Sequence, residues 1–379
     1  METMCGTPYA VVAKRGSGSI SFVSCKESND NFDLPVPTAP NSGRPGPMYV
    51  SYSNDRIYVE DRANNAVAVI NPEDLEEAAV ITDVRQGIFH QWSNDKNFVI
   101  ACDISNTVAI VNLKDNTIKG TINLMDQGGR SISAMQKPHD IVITPSGDAI
   151  SVSILATVAA ATDAIIKIDT VANTVVRRID LPSGTDPHLG LSSSSPDLLY
   201  SPQQNIGIVA VYSQDDLTEV QPLLAVPNAH GIGASSDRKY LCVTNISGGG
   251  TGGLVTIQTG TNATVVETID TPEAVPQNVA ADDDGCVYVT HSGGAADQLS
   301  VYSTNASGIP TLFDQYTVGA NPFGLAVVEY KCIEDPSTNL AHQPPNYQFQ
   351  GLQKRKKFKE NLSYVVFCVY CVHLAAALK

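Results

Sequence analysis

The stretch that decides the fold runs from residue 230 to residue 270 and contains four short runs: HGIGAS (230–235), YLCVTN (240–245), GLVTIQ (253–258) and ATVVETID (263–270). Each run is rich in alternating apolar or β-branched residues, a pattern typical of β-strands. Gly, Asn, Asp and Ser separate the runs, and these residues favour turns. The stretch therefore predicts four consecutive antiparallel strands joined by short connections.

The third run of this unit recurs along the chain and gives the number of copies. It appears seven times, at 19–24, 66–71, 107–112, 164–169, 207–212, 253–258 and 298–303. Successive first runs begin 40 to 51 residues apart, at Met48, Ile88, His139, His188, His230, Gln277 and Phe323. This spacing is typical of a four-stranded propeller blade, and no helical period is sustained in residues 1–330. The sequence therefore predicts an all-β fold, a seven-bladed β-propeller with four-stranded antiparallel blades.

The two ends of the repeat region each hold part of one blade. Residues 323–329 form a first strand without successors, whereas 9–13 and 19–24 form second and third strands without a first strand before them. Joined together they complete the seventh blade, a Velcro closure that removes the open strand edges of the ring. We therefore assign residues 1–333 to the propeller and residues 334–379 to a tail outside it.

Two of the eight cysteines are expected near this closure. Cys5 precedes the second strand of the shared blade and Cys332 follows its first strand, so both belong to the same end of that blade. We predict a disulfide between them, which would close a loop of more than 300 residues. The alternative is two unpaired thiols that merely lie close together.

Several runs resemble a known repeat. YLCVTN (240–245), VYVTHS (287–292) and RIYVED (56–61) resemble the YVTN signature, and KPHDIVITPSGD (137–148) and NAHGIGASSDRK (228–239) resemble the other half of that repeat. Over residues 8–330 the chain thus resembles the YVTN-repeat and lactonase-like propellers, which implies the seven-bladed fold. Those families include surface proteins, binding scaffolds, hydrolases and metal-dependent oxidoreductases, so the resemblance does not choose a function.

Histidines mark the predicted channel of the ring. His139, His188 and His230 open the first strands of three successive blades, and His90 lies two residues into its own first strand. First strands line the axis of a propeller, so the four imidazoles are expected to face one channel. Neutral imidazole is a common ligand of zinc and copper, so we predict a possible Zn or Cu site formed by these four residues.

Two other interpretations of these histidines stay open. Pro-His belongs to the repeat consensus, and an imidazole there can simply form a hydrogen bond with the neighbouring blade. Acid–base catalysis is the remaining alternative. Asp140, Gln277, Asp186 and Lys137 flank the same channel mouth and are candidates to orient the imidazoles, or else ordinary rim residues.

Composition limits the partners and the compartment. The formal net charge of −15 argues against nucleic acid, which requires a basic surface. We expect a monomer that presents its channel mouth or loops to a protein or a small molecule. Four N-x-Ser/Thr sequons favour an extracellular or cell-envelope location, although no signal peptide is visible; they begin at Asn245, Asn262, Asn305 and Asn361.

The tail gives a conflicting indication. Residues 336–350 resemble a linker, 354–359 are basic, and 362–378 are mostly apolar but at the short limit for crossing a bilayer. If that segment is a real anchor, the basic residues before it would leave the propeller in the cytosol. Membrane attachment therefore depends entirely on the 362–378 segment.

The sequence leaves three functions open. We favour a binding or interaction propeller. A metal-dependent hydrolase or oxidoreductase with histidine ligands at the channel mouth is the first alternative, and a structural surface-layer module the second. Bound Zn or Cu would distinguish the enzyme from the others.

Overall fold

The computed structural model describes residues 8–26, 31–37, 43–94, 97–192, 198–220, 223–235, 237–248 and 251–329. This part of the chain forms twenty-eight β-strands, arranged in seven antiparallel four-stranded sheets. Its helical residues are limited to the 3₁₀ turns Gly128–Arg130 and Gln204–Ile206. The predicted seven-bladed β-propeller is therefore confirmed.

Each blade contributes one inner strand, and in six of the seven neighbouring pairs the inner strands contact one another closely around the axis. The inner strands are β4 (Pro47–Ser53), β8 (Ile88–Ser93), β12 (Gln136–Ile143), β16 (Gly190–Ser192), β20 (Ala229–Ala234), β24 (Pro276–Ala281) and β28 (Pro322–Glu329). The second strands are β1 (Pro8–Lys14), β5 (Arg56–Asp61), β9 (Phe98–Cys102), β13 (Ala149–Ala156), β17 (Leu198–Gln203), β21 (Tyr240–Asn245) and β25 (Cys286–His291).

All seven third strands fall on the run that identified the repeat. They are β2 (Ser19–Val23), β6 (Ala66–Ile70), β10 (Thr107–Asn112), β14 (Asp163–Asp169), β18 (Ile208–Ser213), β22 (Leu254–Gln258) and β26 (Gln298–Thr304). The outer strands are β3 (Phe32–Pro35), β7 (Glu77–Ile81), β11 (Thr117–Asn123), β15 (Thr174–Leu181), β19 (Leu224–Ala225), β23 (Thr264–Ile269) and β27 (Pro310–Thr317).

Asparagine turns join many of these strands. Asn65, Asn106, Asn116 and Asn173 stand between consecutive strands of a blade with φ between 48° and 56°. Asparagine tolerates this left-handed conformation better than most residues, which is why it recurs at the tight connections.

The ring closes as expected, by pairing the two ends of the described chain. Strand β1 pairs with β28, with Tyr9 opposite Val328 and Val11 opposite Ala326. The closing blade therefore has the order β28-β1-β2-β3. Because both edges of this seam are paired, the inner ring has no open strand edge there.

The core lies between the blades, since both faces of each sheet are covered by a neighbour. Between two of the blades, Val99, Ile110, Ile150 and Ile166 pack in one cluster and are essentially inaccessible to solvent. This burial on both faces explains why the strands are nearly continuous in Val and Ile. Near the axis the backbones themselves approach: a Cβ on Gly231 would lie 2.3 Å from the carbonyl oxygen of Gln277.

A disulfide joins the closing blade to the blade before it. Cys25 follows β2 and Cys286 begins β25, and the two are bonded across a sequence separation of 261 residues. The predicted pair Cys5 and Cys332 lies outside the described residues, as do the tail 334–379 and its apolar segment. Within the described ranges no helix is long and apolar enough to cross a membrane.

Candidate functional site

One layer of side chains crosses the channel where the inner strands begin. We call it the axial layer; its members are Met48, Phe89, His139, His188, His230, Gln277 and Phe323. The rings of Phe89 and His139 lie 4.5 Å apart between centroids, those of His139 and His188 4.9 Å, and those of His188 and His230 4.0 Å. Phe323 packs with Met48 and Phe89 on the other side. The layer therefore has an imidazole half and an apolar half.

Asp140 connects the histidines below this layer. Its Oδ2 accepts hydrogen bonds from Nδ1 of His188 at 3.1 Å and from the Leu189 amide at 3.2 Å. Its Oδ1 lies 3.4 Å from Nδ1 of His139 and 4.0 Å from Nε2 of His90. The sequence placed Asp140 beside the histidines as a possible orienting group, and the structure brings this carboxylate within reach of three imidazoles.

The pKa values of Asp140 and the three histidines around it shift in different directions. Burial raises the pKa of Asp140, but His90, His188 and His139 outweigh it and hold that pKa well below its ordinary value. Burial lowers the pKa of His188, yet Asp140 and Asp186 outweigh burial and the net shift is upward. Burial lowers the pKa of His139 to about 3 and also depresses that of His90. Asp140 therefore favours a proton on Nδ1 of His188, whereas burial favours the neutral forms of His139 and His90.

His230 uses both of its ring nitrogens within the protein. Nδ1 lies 2.7 Å from Oε1 of Gln204, and Nε2 lies 2.5 Å from Nε2 of Gln277, whose Oε1 accepts a hydrogen bond from Ser292. His230 thus shows the arrangement of the structural alternative, in which an imidazole forms hydrogen bonds with neighbouring blades. Sequence reasoning missed Gln204, although its position directly after β17 brings it to the same end of the channel.

Asp186 and Lys137 occupy different places at the mouth. Oδ1 of Asp186 lies 3.8 Å from Nε2 of His188. Lys137 instead points toward Asp103, with Nζ 3.9 Å from Oδ2, and its ammonium lies 5.9 Å from the centre of the Phe89 ring. Lys137 is therefore a rim residue that flanks the apolar half of the axial layer.

A cavity of about 670 Å³ fills the channel on the other side of the histidines. The second halves of the inner strands line it, and His90 and Gln91 form the wall that it shares with the Asp140 cluster. Both apolar rings and polar groups face the space; they include Tyr49, Tyr52, Trp92, Asn94, Ser235 and Asn278. These residues were not predicted from the sequence, because the repeat marks the start of each inner strand better than its end.

Glu60, in strand β5 next to this wall, is a buried carboxyl without a hydrogen bond to any described residue. It is fully inaccessible, and neither of its carboxyl oxygens has a hydrogen-bond partner among the described residues; the same holds for Oε1 of Gln91. Burial raises the pKa of Glu60 well above its ordinary range, and Arg62 offsets this only in part. Burial therefore favours the protonated form of this carboxyl.

Replacing Glu60 with Gln is expected to raise the free energy of unfolding at neutral pH by about 1–3 kcal/mol. The unfolded carboxyl loses its proton near its ordinary pKa of 4.5, whereas the folded one keeps it, so wild-type stability falls as pH rises from that value through the raised pKa. Urea unfolding at acidic and neutral pH measures this difference. Glu77→Gln, on an exposed position of β7, is the control and should change little. A Glu60→Gln variant that is destabilised equally at both pH values would contradict the assignment.

Comparison with known proteins shows the fold and not the chemistry. No protein-family model matches the chain, and no curated protein matches its sequence. The periplasmic gluconolactonase PpgL of Pseudomonas aeruginosa matches with a TM-score of 0.65 and 16% identity, covering 86% of this chain and 100% of that one. A putative 6-phosphogluconolactonase of Bacteroides fragilis matches with a TM-score of 0.64 and 17% identity, covering 87% and 100%.

A third structure, a protein from Lactobacillus plantarum, gives a TM-score of 0.65 at 14% identity over 85% of this chain and 99% of that one. The chain is thus a seven-bladed β-propeller with lactonase-like structural neighbours. The finer likeness to the YVTN repeat remains a prediction from the sequence.

Proposed function

We propose that the protein is a binding propeller that takes a small polar organic molecule into its axial cavity. The observation that carries this proposal is the cavity of about 670 Å³ that ends on His90 and Gln91. Ligand sites commonly have volumes of about 300–1,000 Å³ and combine apolar rings with a few fixed polar groups. This channel offers both.

The lining favours a neutral or weakly charged ligand. Tyr49 and Trp92 supply apolar ring surface, and Asn278 supplies an amide. Arg238 and Asp283 supply one charge of each sign. Because burial lowers its pKa, His90 contributes a neutral imidazole to the wall. Hydroxyl-bearing rings fit such a mixture of surfaces, and two of the structural neighbours carry names of sugar lactonases.

Trp92 gives a direct test, because it is the single tryptophan of the chain and lines the cavity. Its fluorescence is expected to change saturably when D-glucono-1,5-lactone or gluconate is added to the full-length protein. Ala280→Leu, which adds volume to the cavity wall, should abolish the change. Val171→Leu, at a position 87% exposed, is the control and should respond as wild type.

The outcomes separate the remaining functions. Saturable binding without turnover supports the binding propeller, and hydrolysis of the lactone would favour the hydrolase. Absence of any saturable change with both probes, and identical behaviour of Ala280→Leu and wild type, would overturn the cavity as a site for sugar-derived ligands.

The Cys25–Cys286 disulfide supports an extracellular or cell-envelope location, since such bonds persist in oxidising compartments. The cytosolic, tail-anchored alternative depends on residues 362–378, which lie outside the described part of the chain. The monomeric state likewise remains a proposal. The cavity proposal depends on neither the location nor the monomeric state.

A further inference from the structure

One imidazole nitrogen at the channel mouth is buried and unused. Nε2 of His188 has no hydrogen-bond partner among the described residues, and the residue is only 4% exposed. Nδ1 of the same ring is occupied by Asp140, so the ring orientation is fixed. A buried polar atom without a partner is costly, and this one faces the carboxylate of Asp186 at 3.8 Å.

A third donor completes the group. His139, Asp186 and His188 each place one potential ligand atom within 4.8 Å of the other two. In a tetrahedral zinc site with bonds of about 2.0–2.1 Å, ligand atoms lie about 3.3 Å apart. The distance of 3.8 Å between Nε2 of His188 and Oδ1 of Asp186 is already close to that value. Small side-chain rotations of Asp186 and His139 would bring all three ligand atoms to zinc-binding distance.

The surroundings favour a dication. Asp140 accepts the Nδ1 proton of His188, which is the carboxylate–histidine arrangement that orients metal ligands. Asp140 and Asp186 add two negative charges, whereas the ammonium of Lys137 is directed toward Asp103. The Asp186 side chain is 26% exposed, which provides an entry path from solvent.

We propose that His139, Asp186 and His188 form a three-ligand Zn²⁺ site with a fourth position open to water. Two imidazoles and one carboxylate are the donors that zinc accepts, whereas magnesium and calcium prefer oxygen alone. His230 takes no part, because both of its nitrogens are bonded to amide side chains. The site lies on the far side of the Asp140 cluster from the cavity, so it does not depend on the proposed ligand binding.

Zinc titration of full-length, untagged and chelator-treated protein tests the site. Competition with a chromophoric chelator is expected to show one tight Zn²⁺ ion per chain, and Co²⁺ should give the visible absorption bands of a tetrahedral N/O site. Loss of a shell residue around a metal ligand weakens binding by about 10–100-fold, so Asp186→Asn, which removes a direct ligand, should weaken it by about 100-fold or more.

Asp216→Asn is the matched control, since it removes a carboxylate of the same kind at an exposed position away from the channel; it should leave Zn²⁺ affinity within about threefold of wild type, as expected for a residue outside the shells that control metal affinity. Thermal melting verifies that each variant is folded. The proposal is overturned if the folded protein binds no Zn²⁺, or if Asp186→Asn binds as wild type. It is also overturned if Asp216→Asn loses the metal. The Trp92 titration is unaffected by any of these outcomes, so failure of one proposal is distinguishable from failure of the other.

Discussion

Replacing both Cys25 and Cys286 with Ala is expected to lower the free energy of unfolding by about 5 kcal/mol. The bond spans 261 residues of sequence, so it removes a large amount of chain entropy from the unfolded state. Both cysteines are buried, at the junction of the closing blade and its predecessor. The substitution therefore removes the covalent link between these two blades.

Denaturant unfolding with and without reductant measures this effect. Wild type should lose stability on reduction, whereas the double variant should be insensitive to reductant. Cys242→Ala is the matched control, because Cys242 is a buried free cysteine and the same atom is removed without breaking a cross-link. Its cost should be about 1 kcal/mol, as for deletion of a small buried group. Equal losses in both variants would refute a stabilising cross-link.

Replacing Asp140 with Ala is expected to cost about 3–5 kcal/mol near pH 6, because it leaves the charge of His188 buried without its partner. Asp140→Asn also removes the counter-charge but keeps the hydrogen bonds, so it should cost less than Asp140→Ala, about 1–3 kcal/mol. The amide oxygen can still accept from Nδ1 of His188 and from the Leu189 amide, and the amide nitrogen can donate to Nδ1 of His139, which has no hydrogen-bond partner among the described residues.

The pH dependence of this loss identifies the ion pair. The depressed pKa of Asp140 contributes stability above its ordinary value of 3.8, and that stability is lost as pH falls through the folded value. The raised pKa of His188 contributes stability below 6.5, and that stability is lost as pH rises through the folded value. The difference between wild type and Asp140→Ala should therefore be largest between about pH 4 and 6.5.

Unfolding free energies measured across this range provide the test, with Asp216→Ala, at an exposed carboxylate, as the control. A loss that is constant with pH would mean that Asp140 acts through packing alone.

Much of the fold was predictable because the blade repeats. The run at 19–24 predicted β2, and the run at 323–329 predicted β28, so the closing blade was identified from its two separate parts. Such predictions succeed because each blade is buried on both faces and therefore repeats the same apolar pattern. His188 shows the limit: it was expected to open its strand but lies two residues before β16, where its amide bonds to Pro202.

The site was predictable only in part. The histidine positions follow from the repeat, but their hydrogen-bond partners lie in neighbouring blades and do not recur with the repeat. Gln204 reaches His230 from the preceding blade, and Asp140 reaches His188 from the blade before it. The disulfide could have been found by extending the alignment between blades, since the end of a third strand and the start of a second strand lie at the same end of the ring.

Because β1 pairs with β28, the closing blade can be completed only after nearly the whole propeller has been synthesised. Pro8 and Glu329 are opposite each other in the sheet, yet 321 residues separate them along the chain. At about 5–20 residues per second, the ribosome delivers β28 roughly a quarter of a minute to a minute after β1. Cys286 emerges earlier than β28, so in an oxidising compartment its bond with Cys25 can link β2 to the blade β24-β25-β26-β27 before β28 is made. The Cys25–Cys286 bond could thus attach the N-terminal strands to a neighbouring blade before β28 is available to pair with β1.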